Sequence, residues 1–211
     1  MRVLLISPHA DDVEIGMCGT ICKLRAEGND VKLITAIIPC ENIDGKTDLI
    51  FKDKRMKEQK EVAARLGIEI DVLDLPPYDF CFDRKHIKIF DKIVRDYKPN
   101  QIFSCWIHDT HQDHIALSSI IDIAARKNNA SLYLYENMIP GGISSYSFNP
   151  QYFVNISEFI ELKKEILNIY ETVFTENQNY VRAILARSEF RGGQIGVEHA
   201  EAFEVIKKIE Y

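Results

Sequence analysis

Apolar and polar positions alternate along this chain in blocks, and the blocks change period. Arg2–Ile6 is a short continuous apolar run, as expected of a strand covered on both faces. Gly16–Glu27 has helical spacing, with Ile15, Cys18, Ile21, Cys22 and Leu24 on one side and Gly28-Asn29 as its stop. Val31–Ile38 predicts a second buried strand, followed by a polar loop over Pro39–Asp48. Phe51–Leu66 predicts a charged helix closed by Gly67, and Ile68–Leu73 a strand. Pro76-Pro77 breaks the chain before a helix over His86–Tyr97. Gln101–Trp106, His114–Arg126 and Ser131–Tyr135 then read as strand, helix and strand.

This alternation implies right-handed crossovers and an α/β fold: a Rossmann-like, mostly parallel sheet with helices on both faces. The remainder is less regular. Glu136–Pro150 is a long loop containing Pro140-Gly141-Gly142, and Tyr152–Ile156 a short strand. Ser157 is the expected N-cap of a helix reaching Tyr170. Glu176–Ser188 predicts a further helix ended by Arg191-Gly192-Gly193, and Ala202–Ile209 fits strand or helix. No repeat or composition break divides residues 1–211, so one domain is expected.

Composition narrows the function classes. With 46% hydrophobic and 27% charged residues the chain is of ordinary globular type. A net charge of −6 and a pI near 5.6 argue against a nucleic-acid partner. No stretch approaches the ~18 apolar residues of a membrane span. The N-terminal apolar run ends at Asp11 and Asp12, too soon for a secretory signal. Cys18, Cys22, Cys40, Cys81 and Cys105 have no paired spacing and read as reduced thiols, so a cytoplasmic location is expected.

Charge is concentrated at two strand ends. Ser7-Pro8-His9-Ala10-Asp11-Asp12-Val13-Glu14 follows the first strand. Ile107-His108-Asp109-Thr110-His111-Gln112-Asp113-His114 follows the fourth, and holds three of the six histidines. Ligands of open α/β sheets bind beyond the carboxyl ends of the strands, where strand order reverses. If the first and fourth strands are neighbours, both clusters share one crevice. Imidazole and carboxylate groups suit zinc and other divalent metals, and two His with one Asp complete a catalytic set that keeps a position open. Each cluster alone also reads as a capped turn. A nucleotide site is disfavoured: Gly16-Met17-Cys18-Gly19 is not a G-x-G-x-x-G fingerprint, and the acidic turn repels phosphate.

His9-Ala10-Asp11-Asp12 with Gly16 and Gly19-Thr20, and the later His111-Gln112-Asp113-His114, resemble the PIG-L/LmbE family of metal-dependent N-deacetylases. Further likeness runs through Arg55, Glu58, Ala63-Ala64 and Leu66-Gly67; Phe148-Asn149-Pro150, Val154-Asn155-Ile156-Ser157 and Lys163-Lys164; and Arg191-Gly192, Gly196 and Ala200-Glu201-Ala202-Phe203. The resemblance implies that His9, Asp12 and His114 bind one zinc ion, a set that also admits iron. It implies Asp11 as general base. His111 would protonate the leaving amine or stabilise the oxyanion, Asp113 would orient His111, and Arg55 would contact substrate. The implied substrate is a small N-acetylated sugar or glycoconjugate that loses its acetyl group. An amidase for another amide, such as a thiol conjugate, and a non-catalytic metal- or sugar-binding protein on this fold are the alternatives; assembly into homo-oligomers is open. Loops 39–48, 75–83 and 136–150 are the expected rim, with Tyr78, Phe80, Phe148 and Tyr152 as candidates to stack on a sugar. Ala10 and Val13 depart from the family pattern His-Pro-Asp-Asp-Glu, with Glu14 one place later.

Overall fold

A computed structural model describes residues 1–40, 48–137 and 144–210. Its strands are β1 (Arg2–Ser7), β2 (Asp30–Thr35), β3 (Glu69–Val72), β4 (Gln101–Cys105), β5 (Ser131–Tyr135), β6 (Tyr152–Asn155) and β7 (Ala200–Lys207). They form one sheet in the order β3-β2-β1-β4-β5-β7-β6. β1 to β5 are parallel, whereas β7 runs antiparallel to both β5 and β6. β1 lies between β2 and β4, so the strand order reverses at its edge with β4. The two charged segments therefore leave adjacent strand ends.

The helices are α1 (Asp12–Ala26), α2 (Leu49–Leu66), α3 (Arg84–Tyr97), α4 (Gln112–Ala125), α5 (Ile160–Ile169), α6 (Glu171–Phe174) and α7 (Gln178–Ile195). α3 packs on α4, while α1 packs on α2 and α5, and α5 on α7. Parallel crossovers of one hand place these two groups on opposite faces of the sheet. Both faces are thereby covered, which explains why Val3, Leu4, Leu5 and Ile6 are all fully buried.

α1 begins at Asp12, before the expected Gly16, and bends at Met17, whose φ of −150° and ψ of 24° are not helical. The bend fits the packing of two glycines. A Cβ on Gly16 would lie 2.5 Å from Tyr135 Cδ2, and one on Gly19 would lie 2.6 Å from Ile156 Cβ. Buried side chains satisfy the backbone groups around the bend. Lys163 Nζ and Arg187 donate to the Ile15 carbonyl at 3.1 and 2.9 Å. Glu201 accepts from the Gly19 and Thr20 amides at 3.0 and 2.7 Å, and pairs with Lys163 Nζ at 2.7 Å. Several family-like residues far from the charged turn thus serve to hold α1, the helix that begins in it.

Three expectations need correction. β2 ends at Thr35; Ala36 and Ile37 instead donate backbone bonds to the Ser7 and Pro8 carbonyls at 2.9 Å, bracing the turn after β1. Ser157 does not cap α5. It sits in a 3-10 turn, its amide and hydroxyl bonded to Asn155 Oδ1 at 3.0 and 2.7 Å, and α5 starts at Ile160. Arg191-Gly192-Gly193 does not end α7, which continues to Ile195 and closes at Gly196 with φ 76°. Gly192 is a contact point: a Cβ there would lie 2.6 Å from the Glu198 carbonyl oxygen. The segment open to strand or helix is strand β7. The central parts of two expected rim loops, 41–47 and 138–143, lie outside the described residues.

Candidate metal centre

The turn from β1 into α1 is held in a costly shape. Asp11 has φ 101°, a region that non-glycine residues rarely occupy and that strained functional sites retain at about 1–3 kcal/mol. Two groups fix it. The Asp12 carboxylate folds back to accept from the His9 amide at 2.9 Å. Arg55, arriving from α2 and only 3% exposed, donates to the Ala10 carbonyl and stands 3.5 Å from Asp11 Oδ1. Its other terminal nitrogen donates to Thr172 Oγ1 at 3.3 Å, and Thr172 is tied in turn to Glu58. The Arg55 side chain borders the cavity described below, but its guanidinium is engaged with the turn.

This turn and the β4–α4 loop bring three ligand atoms into a compact triangle. His9 Nδ1 lies 3.2 Å from Asp12 Oδ2, and His114 Nε2 lies 3.3 Å from both Asp12 Oδ2 and His9 Nδ1. The edge of a tetrahedron with metal–ligand distances of ~2.0–2.1 Å is ~3.3–3.4 Å. The donor set therefore fits one face of a tetrahedral divalent ion. Ring nitrogens of His9, His111 and His114 also fall within 4.8 Å of one another, an alternative trio. The tighter triangle with Asp12 is the better match, and the His111 side chain is 50% exposed.

Each histidine of the triangle has a carboxylate at its outer nitrogen. Asp113 Oδ2 is 2.9 Å from His9 Nε2. Asp109 Oδ2 is 2.7 Å from His114 Nδ1. Asp113 is thus oriented on His9; its distance to the His111 ring is 3.9 Å. His111 is positioned by backbone instead, its Nδ1 accepting from the Asp113 amide at 3.2 Å at the start of α4. Its own amide donates to Asp109 Oδ1 at 2.9 Å. Asn137 Nδ2 reaches Asp12 Oδ1 at 3.4 Å.

The electrostatics follow from burial and these pairings. Burial pulls His9 down, but hydrogen bonds to Asp113 and Asp12 prevail and raise it to about 9. His114 is raised to about 10 against burial, by Asp12 and Asp109. Burial would raise Asp12, yet the charges and hydrogen bonds of His114 and His9 hold it well below the carboxylate range. Both imidazoles facing Asp12 are thus pushed toward their protonated forms, positive charge of the kind that a bound dication would supply. Asp11 behaves oppositely: burial raises it to about 6, with Arg55 opposing. Burial and the positive charges of His9 and His114 lower His111. Adjacent aspartates are thereby separated into one bound as carboxylate and one able to exchange a proton near neutrality.

A cavity of about 610 Å³ opens on this cluster, with Ile15, Ile37, Pro39, Tyr78, Val173 and Tyr180 in its walls. Of the aromatic candidates, Tyr78 lines it. Phe80 is buried against His86, Phe148 packs beside Trp106, and Tyr152 lies against Tyr133 and Phe203. His108 stacks on Tyr146 at 4.0 Å. Cys81, Asp83 and His86 also cluster, but there Asp83 caps α3, accepting from the His86 amide at 2.8 Å. The sequence reading missed the partners of Asp109, and the wall residues Val173 and Tyr180. The spacing Asp-x-His-x-x-His was visible, but no periodicity links α6 and α7 to this site.

Residues 4–125 match the PIG-L family model, described as GlcNAc-PI de-N-acetylase. The diacetylchitobiose deacetylase of Thermococcus kodakarensis is 27% identical over 99% of this chain and 84% of its own length. The N,N'-diacetylchitobiose deacetylase of Pyrococcus horikoshii, solved with an inhibitor, superposes with a TM-score of 0.79 at 24% identity, covering 98% of this chain and 84% of that one. The 4-carboxy-2-hydroxymuconate hydratase of Pseudomonas putida KT2440 superposes with a TM-score of 0.80 at 16% identity, over 100% and 98% of the two chains. Proteins named for more than one reaction therefore share this fold. The chain belongs to the PIG-L family of de-N-acetylases.

Proposed function

We propose that the protein is a zinc-dependent hydrolase that removes the acetyl group from an N-acetylated sugar or glycoconjugate. The observation that carries this reading is the His9–Asp12–His114 triangle with Asp11 beside it, not engaged in the triangle. The diacetylchitobiose deacetylases support an N-acetylglucosaminide as the substrate class. Zinc suits two imidazoles and a carboxylate, and iron is admitted by the same donors.

When bound, the ion supplies Lewis acidity to the amide carbonyl and makes water acidic enough to lose a proton near neutral pH. The residues do the rest. Asp11 takes the proton from the attacking water, a role matched by its raised affinity for protons. His111 is the hydrogen-bond donor to the developing oxyanion. Its Nδ1 already accepts from backbone, so the proton of the neutral ring sits on Nε2, and burial favours that neutral ring. The departing amine then receives the proton that Asp11 holds. Arg55 keeps Asp11 in place and borders the substrate cavity.

The test is acetate release from N-acetylglucosaminides by the zinc-loaded protein, with Asp11→Asn alongside. The variant is expected to keep its metal and lose activity by ~10²–10⁴-fold, the range for a general base. Undiminished turnover would refute the assignment of the base. Acetate release also separates this reading from hydration chemistry of the kind named for the hydratase neighbour, which liberates no acetate.

A further inference from the structure

We infer that Asp109 is a positioning residue that locks the metal ligand His114 and the loop carrying His111 into one unit. The inference rests on the metal reading above and adds a residue to it. Asp109 is 6% exposed, and its two oxygens have separate tasks. Oδ2 accepts from His114 Nδ1 at 2.7 Å, and Oδ1 accepts from the His111 amide at 2.9 Å. The first bond fixes the ring of His114 so that Nε2 is the nitrogen turned to Asp12 and His9. The second fixes the backbone that presents His111. A carboxylate is required because both facing groups are N–H donors, and only an acceptor on each arm satisfies both. Partners of this kind typically change metal affinity by ~10–100-fold when removed.

Asn and Ala separate the two bonds. In Asp109→Asn, the amide oxygen still accepts from the His111 amide, but the –NH₂ group opposes His114 Nδ1–H. In Asp109→Ala both bonds are gone. Zn²⁺ affinity is read by competition with a chromogenic chelator, and the His111 amide by hydrogen exchange in the metal-free protein. We expect Asp109→Asn to weaken Zn²⁺ binding ~10–100-fold with His111 exchange near wild type. Asp109→Ala should weaken binding at least as much and also accelerate His111 exchange. Metal-free unfolding midpoints report whether each variant is folded; the isosteric Asn variant carries the metal arm if Ala fails to fold. Zn²⁺ affinity of Asp109→Asn within twofold of wild type would overturn the proposal, as would unchanged His111 exchange in folded Asp109→Ala. A wild-type protein that binds no Zn²⁺ would instead refute the metal reading on which the inference rests.

Discussion

Glu14, one place beyond the position where the family pattern carries its glutamate, is fully buried in the first turn of α1. Neither carboxylate oxygen has a well-formed hydrogen bond among the described residues, and its own amide and the Tyr170 hydroxyl offset burial only in part. Burial, aided by the charges of Asp11 and Asp12, raises Glu14 from 4.5 to about 7. A group with a raised native pKa favours the folded state below its unfolded value and loses that advantage as pH climbs through the native value. At ~1.4 kcal/mol per pH unit, the displacement corresponds to about 3 kcal/mol of destabilisation above pH 7. Glutamine fills the same space and carries no charge. Glu14→Gln should therefore stabilise the metal-free protein by about 3 kcal/mol at pH 8, and by less than about 1 kcal/mol at pH 5. The assay is urea unfolding of metal-stripped wild type and variant at both pH values. A gain that is absent at pH 8, or equal at both, would refute the reasoning.

Two further outcomes follow from the same geometry. Because Asp11 works as a carboxylate and burial raises it to about 6, kcat/KM should rise with pH through a half-maximum near 6 and level off about one unit above it, with both points lower where the bound ion draws the pKa down; a limb still rising steeply above pH 7.5 would contradict this. Lys163→Met strands the buried Glu201 carboxylate at the bend of α1 and should cost about 3–5 kcal/mol in denaturant unfolding; a loss below about 1 kcal/mol would show that the pair does not hold the helix.

The sequence was most legible where one physical rule acts alone. Continuous apolar runs marked β1, β4 and β5, and helical spacing with a Gly67 stop marked α2, because each signal is local. The same locality hid the rest. Gly192 resembles a helix stop, yet its value lies in the approach of the Glu198 backbone, which comes back to it only after the chain turns at Gly196. β7 enters the sheet between β5 and β6, and local periodicity left its type open. Within the site, residue types and spacing pointed to a metal, but partner choice needed the fold. Asp113 meets His9 across 104 positions of sequence, and Arg55 reaches the Ala10 carbonyl across 45. Asp109 precedes His114 by five residues, a spacing that gains meaning only when the β4–α4 loop turns back on itself.

The most direct test of the account is metal titration of the stripped protein with acetate release measured at each point. Activity on an N-acetylglucosaminide should climb linearly with added Zn²⁺ and break at one ion per chain, and His114→Ala should show neither uptake nor activity. Acetate release that persists in the fully stripped protein, or a wild-type chain that takes up no ion, would contradict the account.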